Sequence, residues 1–179
     1  EMTAKEIDDL GFEQRYQNQP AQFTMRDGSK LVAQHFVKDS DLSVIILHGI
    51  LSSSYTNNRF AGLLSEAANA EVYSLDLRGH GSSDGKPGDV SYIGQYVDDI
   101  ADVVARIKVL RPAGKVIIAG HSMGGGISLR YAMKKSVPDI DGYILFSPQL
   151  GDNAPTNVFP EDAARQQDES FMAIDLSRL

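Results

Sequence analysis

Apolar and polar residues follow one another along the chain in blocks that predict strands separated by helices. Residues 44–47 are a continuous apolar run, which is typical of a strand buried on both faces of a sheet. Three later segments are further candidate strands: 71–77, 115–119 and 142–146. Upstream, residues 21–37 hold two short alternating segments around the turn Asp27-Gly28, which predicts an antiparallel hairpin.

Between these runs, apolar residues recur at steps of three and four, the spacing of one face of a helix. Residues 58–69 predict a first helix. Its apolar face holds Phe60, Leu63, Leu64 and Ala67. Residues 91–110 predict a second helix with apolar positions from Ile93 to Leu110, and Pro112 and Gly114 end it. Residues 123–135 predict a third.

Strands that alternate with helices indicate an α/β fold with a mostly parallel sheet and helices on both faces, entered through the antiparallel hairpin. A length of 179 residues is that of one domain. We divide the chain into an N-terminal arm (1–20), a core (21–148) and a last segment (149–179) that is either a loop or the start of a lid.

Charge and composition narrow the kinds of partner. The chain has 24 acidic and 17 basic residues, a net charge of −7, whereas nucleic-acid binding needs a basic footprint. It has no cysteine, and its scattered histidines lack the spacing of a zinc site. We expect no metal or other cofactor, no nucleic acid and no membrane span. This composition fits a soluble protein that is either cytoplasmic or secreted after removal of an N-terminal signal peptide. The sequence does not indicate the oligomeric state.

The candidate chemistry begins at Gly120-His121-Ser122-Met123-Gly124, which matches G-x-S-x-G. The bare pattern is weak, but it directly follows a predicted strand and precedes a predicted helix, the setting of a nucleophile elbow. There the serine sits on a sharp turn, and the two glycines let strand and helix approach closely. The alternative interpretation is a glycine-rich turn with an inert serine.

A second element, His48-Gly49, follows the strand at 44–47. A glycine there lets the loop come near Ser122, so that the backbone N–H groups of Ile50 and Met123 could form an oxyanion hole. The alternative is a simple turn that ends a strand.

A third element is the glycine-rich loop 76–85. It contains G-x-G at 79–81, but Asp84 stands where a dinucleotide-binding motif needs its third glycine, so that interpretation fails. The adjacent carboxylates Asp98 and Asp99, on the second predicted helix, indicate solvated surface.

In this order the three elements resemble the α/β-hydrolase family over roughly residues 21–148. Three motifs are similar to the lysophospholipase and monoacylglycerol lipase branch: the His48-Gly49 pair, D-x-R-G-x-G-x-S at 76–83, and G-H-S-M-G-G at the elbow. The resemblance implies Ser122 as nucleophile, the Ile50 and Met123 amides as oxyanion hole, and a structural loop 76–85 in which Arg78 braces neighbouring turns.

A serine nucleophile needs a histidine base oriented by an acid, and in this fold both follow the serine in the chain. The four histidines, His35, His48, His80 and His121, all precede Ser122. We expect His48 and His80 to be packing or hydrogen-bonding loop residues. The chain resembles the first two-thirds of a hydrolase, and the base and acid are expected beyond residue 179.

The sequence therefore predicts a serine hydrolase that cleaves carboxylic esters, with an acyl-lipid-like substrate such as a monoacylglycerol or lysophospholipid. Small esters are equally compatible, and peptidase, haloperoxidase-like and carbon–carbon hydrolase activities stay open. The alternative from another class is a catalytically inactive relative that binds a ligand or partner.

Overall fold

A computed structural model describes residues 14–151. These residues form the strands β1 (Gln19–Thr24), β2 (Lys30–Phe36), β3 (Leu42–Leu47), β4 (Glu71–Leu75), β5 (Lys115–His121) and β6 (Gly142–Phe146). They also form the helices α1 (Asn58–Ala67), α2 (Gln95–Leu110) and α3 (Met123–Met133). All six strands belong to one sheet in the order β1-β2-β4-β3-β5-β6.

The register of the sheet determines where its functional edge lies. β1, β2 and β4 pair antiparallel, whereas β4, β3, β5 and β6 run parallel. Leu47 pairs with both Leu75 and Gly120, and His121 pairs with Phe146. The four parallel strands therefore end together at one edge, called here the carboxyl edge. The α/β fold and the hairpin entry are confirmed.

Each face of the sheet packs against helices because the central strands are apolar on both sides. On one face, Ile45 and Ile118 belong to a large core that α2 and α3 complete with Ile100 and Ile127. On the other face, Val44 belongs to a smaller core that includes residues of α1. Helices on both faces are thus confirmed.

The start of α2 differs from the prediction. The helix begins at Gln95, because Gly94 before it has a φ of 94°, a left-handed conformation that cannot continue a helix. Ile93 and Leu110 were expected on the buried face but are 64% and 56% exposed. The apolar spacing predicted the buried positions of α2 correctly between Ile93 and Leu110, but not at these two residues themselves.

The buried face of α1 was predicted only in part: Leu64 packs half-buried against the smaller core, as expected, but other residues of the predicted face do not. Phe60 and Leu63 are 39% and 46% exposed. The helix instead buries four polar or small residues: Asn58, Ala61, Gly62 and Ser65. Small residues let the helix lie close to the segment that contains Tyr16. A Cβ atom on Gly62 would lie 2.0 Å from the Tyr16 ring.

The described end of the predicted N-terminal arm, residues 14–20, is held on the body. The Tyr16 N–H donates to the Asn58 side-chain oxygen at 3.0 Å, and the Asn58 amide donates back to the Tyr16 carbonyl at 2.9 Å. Residues 19 and 20 already belong to β1. Of the predicted loop or lid at 149–179, residues 152–179 lie outside the described residues, so it stays a prediction.

Candidate active site

Ser122 occupies the single residue between β5 and α3. Its φ of 50° and ψ of −114° are unusual for a residue with a side chain and cost conformational energy. Backbone hydrogen bonds to neighbouring segments of the same chain hold it there. The Ser122 N–H donates to the Phe146 carbonyl at 3.0 Å, and the Ser122 carbonyl accepts the N–H groups of Gly126 and Gln149 at 3.0 and 2.9 Å. The serine thus lies half-buried on the predicted sharp strand-to-helix turn.

The glycines on either side of Ser122 are required by close backbone packing. A Cβ on Gly120 would lie 2.4 Å from the Gly124 carbonyl oxygen, and one on Gly124 would lie 2.3 Å from the Leu47 carbonyl oxygen. The Gly124 N–H also donates to the His48 carbonyl at 3.1 Å. The first turn of α3 is therefore tied to the end of β3.

The glycine run continues for a reason that sequence reasoning missed. A Cβ on Gly125 would lie 2.8 Å from Pro148, and one on Gly126 would lie 2.6 Å from the Gln149 carbonyl oxygen. The chain after β6 thus crosses the first turn of α3. The run of three glycines was the signal that another backbone passes at this point.

The loop that follows β3 passes beside Ser122. A Cβ on Gly49 would lie 3.3 Å from the Ser122 Cβ and 3.1 Å from the His121 Nδ1. Ile50, the next residue, is half-buried, and Leu51 is 74% exposed with a φ of 57°. The structure therefore brings together Gly49, Ser122 and the start of α3, the three places that the sequence selected.

His48 is buried, and both of its ring nitrogens are hydrogen-bonded. Nδ1 lies 2.7 Å from the Gly49 carbonyl oxygen, and Nε2 lies 3.1 Å from the Leu77 N–H nitrogen. Burial lowers the pKa of His48 to about 4. The His80 ring contacts it edge-on at 5.0 Å, with the His80 Nδ1 2.9 Å from the Arg78 carbonyl oxygen. Both histidines are hydrogen-bonding loop residues, as predicted.

The loop after β4 is organised by Asp76, whose role sequence reasoning missed. Its two carboxylate oxygens accept the N–H groups of Ser54 at 2.6 Å and Ser82 at 2.8 Å. A Cβ on Gly81 would lie 2.3 Å from this carboxylate. Asp76 thus joins the loop after β3 to the loop after β4. A carboxylate directly after a buried strand was the available signal.

Arg78 braces the neighbouring turns, as the resemblance implied. Its guanidinium donates to the Asp99 carboxylate at 2.7 and 2.8 Å and to the Ser29 hydroxyl at 2.8 Å. Asp99 is 3% exposed, and burial raises its pKa although Arg78 opposes the change. Asp98 also forms ion pairs, with Arg26 at 3.2 Å and with Lys134. The prediction of solvated surface for Asp98-Asp99 was therefore wrong.

Two cavities flank the serine turn. The larger, about 710 Å³, lies beside Met123 between α2, α3 and the chain after β6, and its lining is both apolar, as at Val97 and Leu129, and charged, as at Arg130 and Lys134. The smaller, about 280 Å³, lies beside His121 and includes Phe60 and Phe146. The larger cavity has the size of a small-molecule site.

The described part of the chain supplies no partner for the Ser122 hydroxyl. Within residues 14–151, no imidazole or carboxylate hydrogen-bonds to it, and both nitrogens of His48 are already used. The same residues contain no group of three or more His, Asp or Glu side chains that could hold a metal ion. No helix in that range has both the length and the apolar character needed to cross a membrane.

Comparison with known proteins gives consistent matches. The profile of the Hydrolase_4 family, described as serine aminopeptidase, S33, matches residues 38–175. A monoacylglycerol lipase of Mycolicibacterium smegmatis is 31% identical over 134 residues, which are 69% of this chain and 48% of that protein. A monoglyceride lipase homolog of Monkeypox virus is 34% identical over 62% of this chain and 40% of its own length.

Among solved structures, an esterase from Pyrococcus furiosus superposes with a TM-score of 0.63 at 25% identity. The match covers 83% of this chain and 54% of the esterase. The chain therefore spans about half the length of the relatives it matches.

Proposed function

This chain belongs to the Hydrolase_4 family of α/β-hydrolases, in the lipase and esterase branch, and we propose that it carries the nucleophile of a serine ester hydrolase. The proposed nucleophile is Ser122. The observation that carries the proposal is the strained turn at Ser122, with a φ of 50°, held directly beside the loop after β3. Strain of this kind persists where the surrounding structure enforces it, as at active sites.

In the proposed reaction, the Ser122 oxygen bonds to the ester carbonyl carbon, and the carbonyl π electrons move onto the oxygen. The N–H groups of Ile50 and Met123 stabilise that oxyanion. A histidine base takes the serine proton and returns it to the departing alcohol, which leaves an acyl-enzyme. Water then attacks the acyl carbon by the same route and releases the carboxylic acid.

The position of α3 supports Met123 as an oxyanion donor. Met123 is the first residue of the helix, so its N–H has no acceptor within the helix. The positive end of the helix dipole lies at the same place and favours a developing negative charge. The next N–H that could point there, that of Gly124, is already bound to the His48 carbonyl.

The base and the acid of the triad are proposed to come from beyond residue 179. No histidine follows Ser122 in this chain. His48 cannot serve instead, because both of its ring nitrogens are bound by the backbone. The same observation favours the second candidate, a catalytically silent module that binds a ligand in the cavity beside Met123.

The proposed substrate is an ester with an acyl chain, such as a monoacylglycerol or a lysophospholipid. The cavity of about 710 Å³ beside Met123 supports this choice because it is large enough for an acyl chain, and because apolar side chains such as Val97 and Leu129 form part of its lining. The names of the lipase relatives point in the same direction.

The test is hydrolysis of p-nitrophenyl esters of increasing acyl length by the full-length protein. We expect Ser122→Ala to lower kcat/KM by about 10⁴-fold or more, as loss of a serine nucleophile does. The matched control is Ser40→Ala, at the opposite end of β3, where the hydroxyl only accepts the Leu42 N–H. A folded wild type without activity on any ester, or an active Ser122→Ala variant, overturns the proposal.

A further inference from the structure

The imidazole of His48 is a buried titratable ring at the carboxyl edge that the proposed reaction does not use. It is 1% exposed and lies between the loop after β3 and the loop after β4. A ring needed only to fill space would be indifferent to which nitrogen faces which group. Here, each nitrogen faces a backbone group of opposite hydrogen-bonding character.

These two contacts determine the tautomer of His48. The Leu77 N–H can only donate, so the Nε2 atom that faces it must accept and carries no proton. The proton of the neutral ring is then on Nδ1, where it donates to the Gly49 carbonyl at 2.7 Å. The two contacts are mutually consistent only in this form of the ring.

The contact to the Gly49 carbonyl has a consequence for Ile50. Gly49 C=O and Ile50 N–H belong to the same peptide unit, and no peptide bond of residues 14–151 is cis. In a planar trans peptide, the C=O and N–H bonds point in opposite directions. When His48 holds the Gly49 oxygen, the Ile50 N–H must point away from the ring.

We infer that His48 is a positioning residue: through the Gly49 carbonyl, its ring sets the orientation of the Gly49–Ile50 peptide and so directs the Ile50 N–H toward the oxyanion at Ser122. The inference rests on the proposed function. Gly49 is the residue of the loop that lies against Ser122, with its Cβ position 3.3 Å from the serine Cβ. A glycine backbone is free to rotate, which makes an external anchor for this peptide necessary.

The surroundings of the ring keep this anchor in its neutral form. Burial is the main cause that lowers the pKa of His48 to about 4, and the nearby His80 acts in the same direction. The hydrogen bond to the Gly49 carbonyl and, more weakly, Asp76 act in the opposite direction and raise the pKa, but burial outweighs them. Protonation of Nε2 in addition to Nδ1 would place the Nε2–H donor opposite the Leu77 N–H donor, with no acceptor between them.

Two substitutions separate the contacts. In His48→Asn, the amide nitrogen reaches about the position of Nδ1 and keeps a donor for the Gly49 carbonyl. In His48→Gln, the amide oxygen reaches about the position of Nε2 and keeps an acceptor for Leu77. In the full-length protein, we expect kcat to fall about 30-fold in His48→Gln and no more than about threefold in His48→Asn, with KM within about twofold in both. Loss of one oxyanion donor costs about 10²–10³-fold, and a misdirected donor costs less.

A second readout is specific to the oxyanion. A trifluoromethyl ketone forms a tetrahedral adduct with an active serine, and its oxyanion occupies the same hole. Its inhibition constant should rise in His48→Gln by the same factor as kcat falls. The control is His35→Gln, which removes an imidazole at the opposite edge of the sheet, where it contacts Glu71 at 2.8 Å. We expect this control to leave both values unchanged.

The outcomes distinguish this inference from the proposed function. A wild type without esterase activity overturns the proposed function, and the role of His48 with it. An active wild type whose His48→Gln variant keeps its kcat, or whose two variants lose activity equally, overturns only the role of His48. If neither variant folds, the ring ¹⁵N shifts of the wild type decide: a proton on Nδ1 is expected, and a proton on Nε2 contradicts the inference.

Discussion

The amino and carboxyl edges of the parallel strands differ in how their polar side chains are hydrogen-bonded. At the amino edge, the Glu71 carboxylate contacts the His35 Nε2 at 2.8 Å and accepts the Arg111 Nε at 2.5 Å. The Arg111 guanidinium also donates to the Lys38 carbonyl at 3.1 Å, and the His35 ring stacks on Tyr73 at 4.2 Å. The charged groups of this cluster, His35, Glu71 and Arg111, are thus partnered with one another.

At the carboxyl edge, by contrast, the hydrogen bonds mainly hold backbone segments in place. Ser122 is forced to a positive φ, yet its hydroxyl has no acid or base partner within residues 14–151. The charged residues nearby do not bind the serine: Asp76 accepts the Ser54 N–H, and Arg78 pairs with Asp99 of α2. The comparison teaches that a cluster of charges is not by itself a reason to propose a site, whereas a strained residue at the start of a helix is one.

The pH dependence of stability sharpens the comparison of the two edges. Among the three experiments described here, we expect it to give the largest change in the free energy of unfolding. The pKa of His48 falls from 6.5 to about 4 on folding, mainly because the ring is buried. The unfolded chain therefore binds a proton that the folded chain does not, and stability decreases as the pH falls from 6.5 to 4. By linkage, the shift corresponds to a loss on the order of 3 kcal/mol.

The check is the free energy of unfolding of wild type and His48→Asn measured across this pH range. The wild type should lose more stability than the variant, because other titrating groups are common to both. Parallel curves would show that the His48 ring is not held neutral by the fold.

A second experiment disrupts the close packing of α3 against β3 at the carboxyl edge. Gly124→Ala places a Cβ 2.3 Å from the Leu47 carbonyl oxygen, so α3 or β3 must shift. We expect a loss of about 2 kcal/mol in the free energy of unfolding, the range of overpacked sites, together with loss of esterase activity. The matched control is Gly142→Ala, where the nearest atom is 3.8 Å away. Equal stability of the two variants would contradict the close packing described here.

A third experiment breaks the amino edge and should affect catalysis least. Burial opposes ionisation of Glu71, but the hydrogen bonds from Arg111 and His35 outweigh it and lower the pKa of Glu71. Glu71→Gln removes the charge from this cluster and should lower stability while kcat/KM stays within about twofold, since the sites are distant. A large drop in kcat/KM at a temperature where the variant is fully folded would show that the two edges are coupled.

Much of the fold was predictable from local patterns. The apolar run before Ser122 and the glycines around it mark a strand, a turn and a helix within one short segment, and the structure has them there. The buried face of α1 was not predictable in this way, because Asn58 and Gly62 are buried by contacts with Tyr16, which lies far away in the sequence.

The site was predictable in part for the same reason. The sequence pointed to Ser122, Gly49 and Met123, because their residue types and neighbours are informative. It could not show that Asp99 pairs with Arg78 or that the His48 ring bridges Gly49 and Leu77. Those contacts join residues that only the assembled sheet brings together.

The central claim is that Ser122 is a nucleophile, and covalent labelling tests it most directly. The full-length protein is treated with a fluorophosphonate, and the modified residue is identified by peptide mass spectrometry. We predict a stoichiometric adduct on Ser122 that forms faster than on any other serine and is absent from Ser122→Ala. A folded full-length protein that forms no adduct, or that forms it on another serine, would contradict the account.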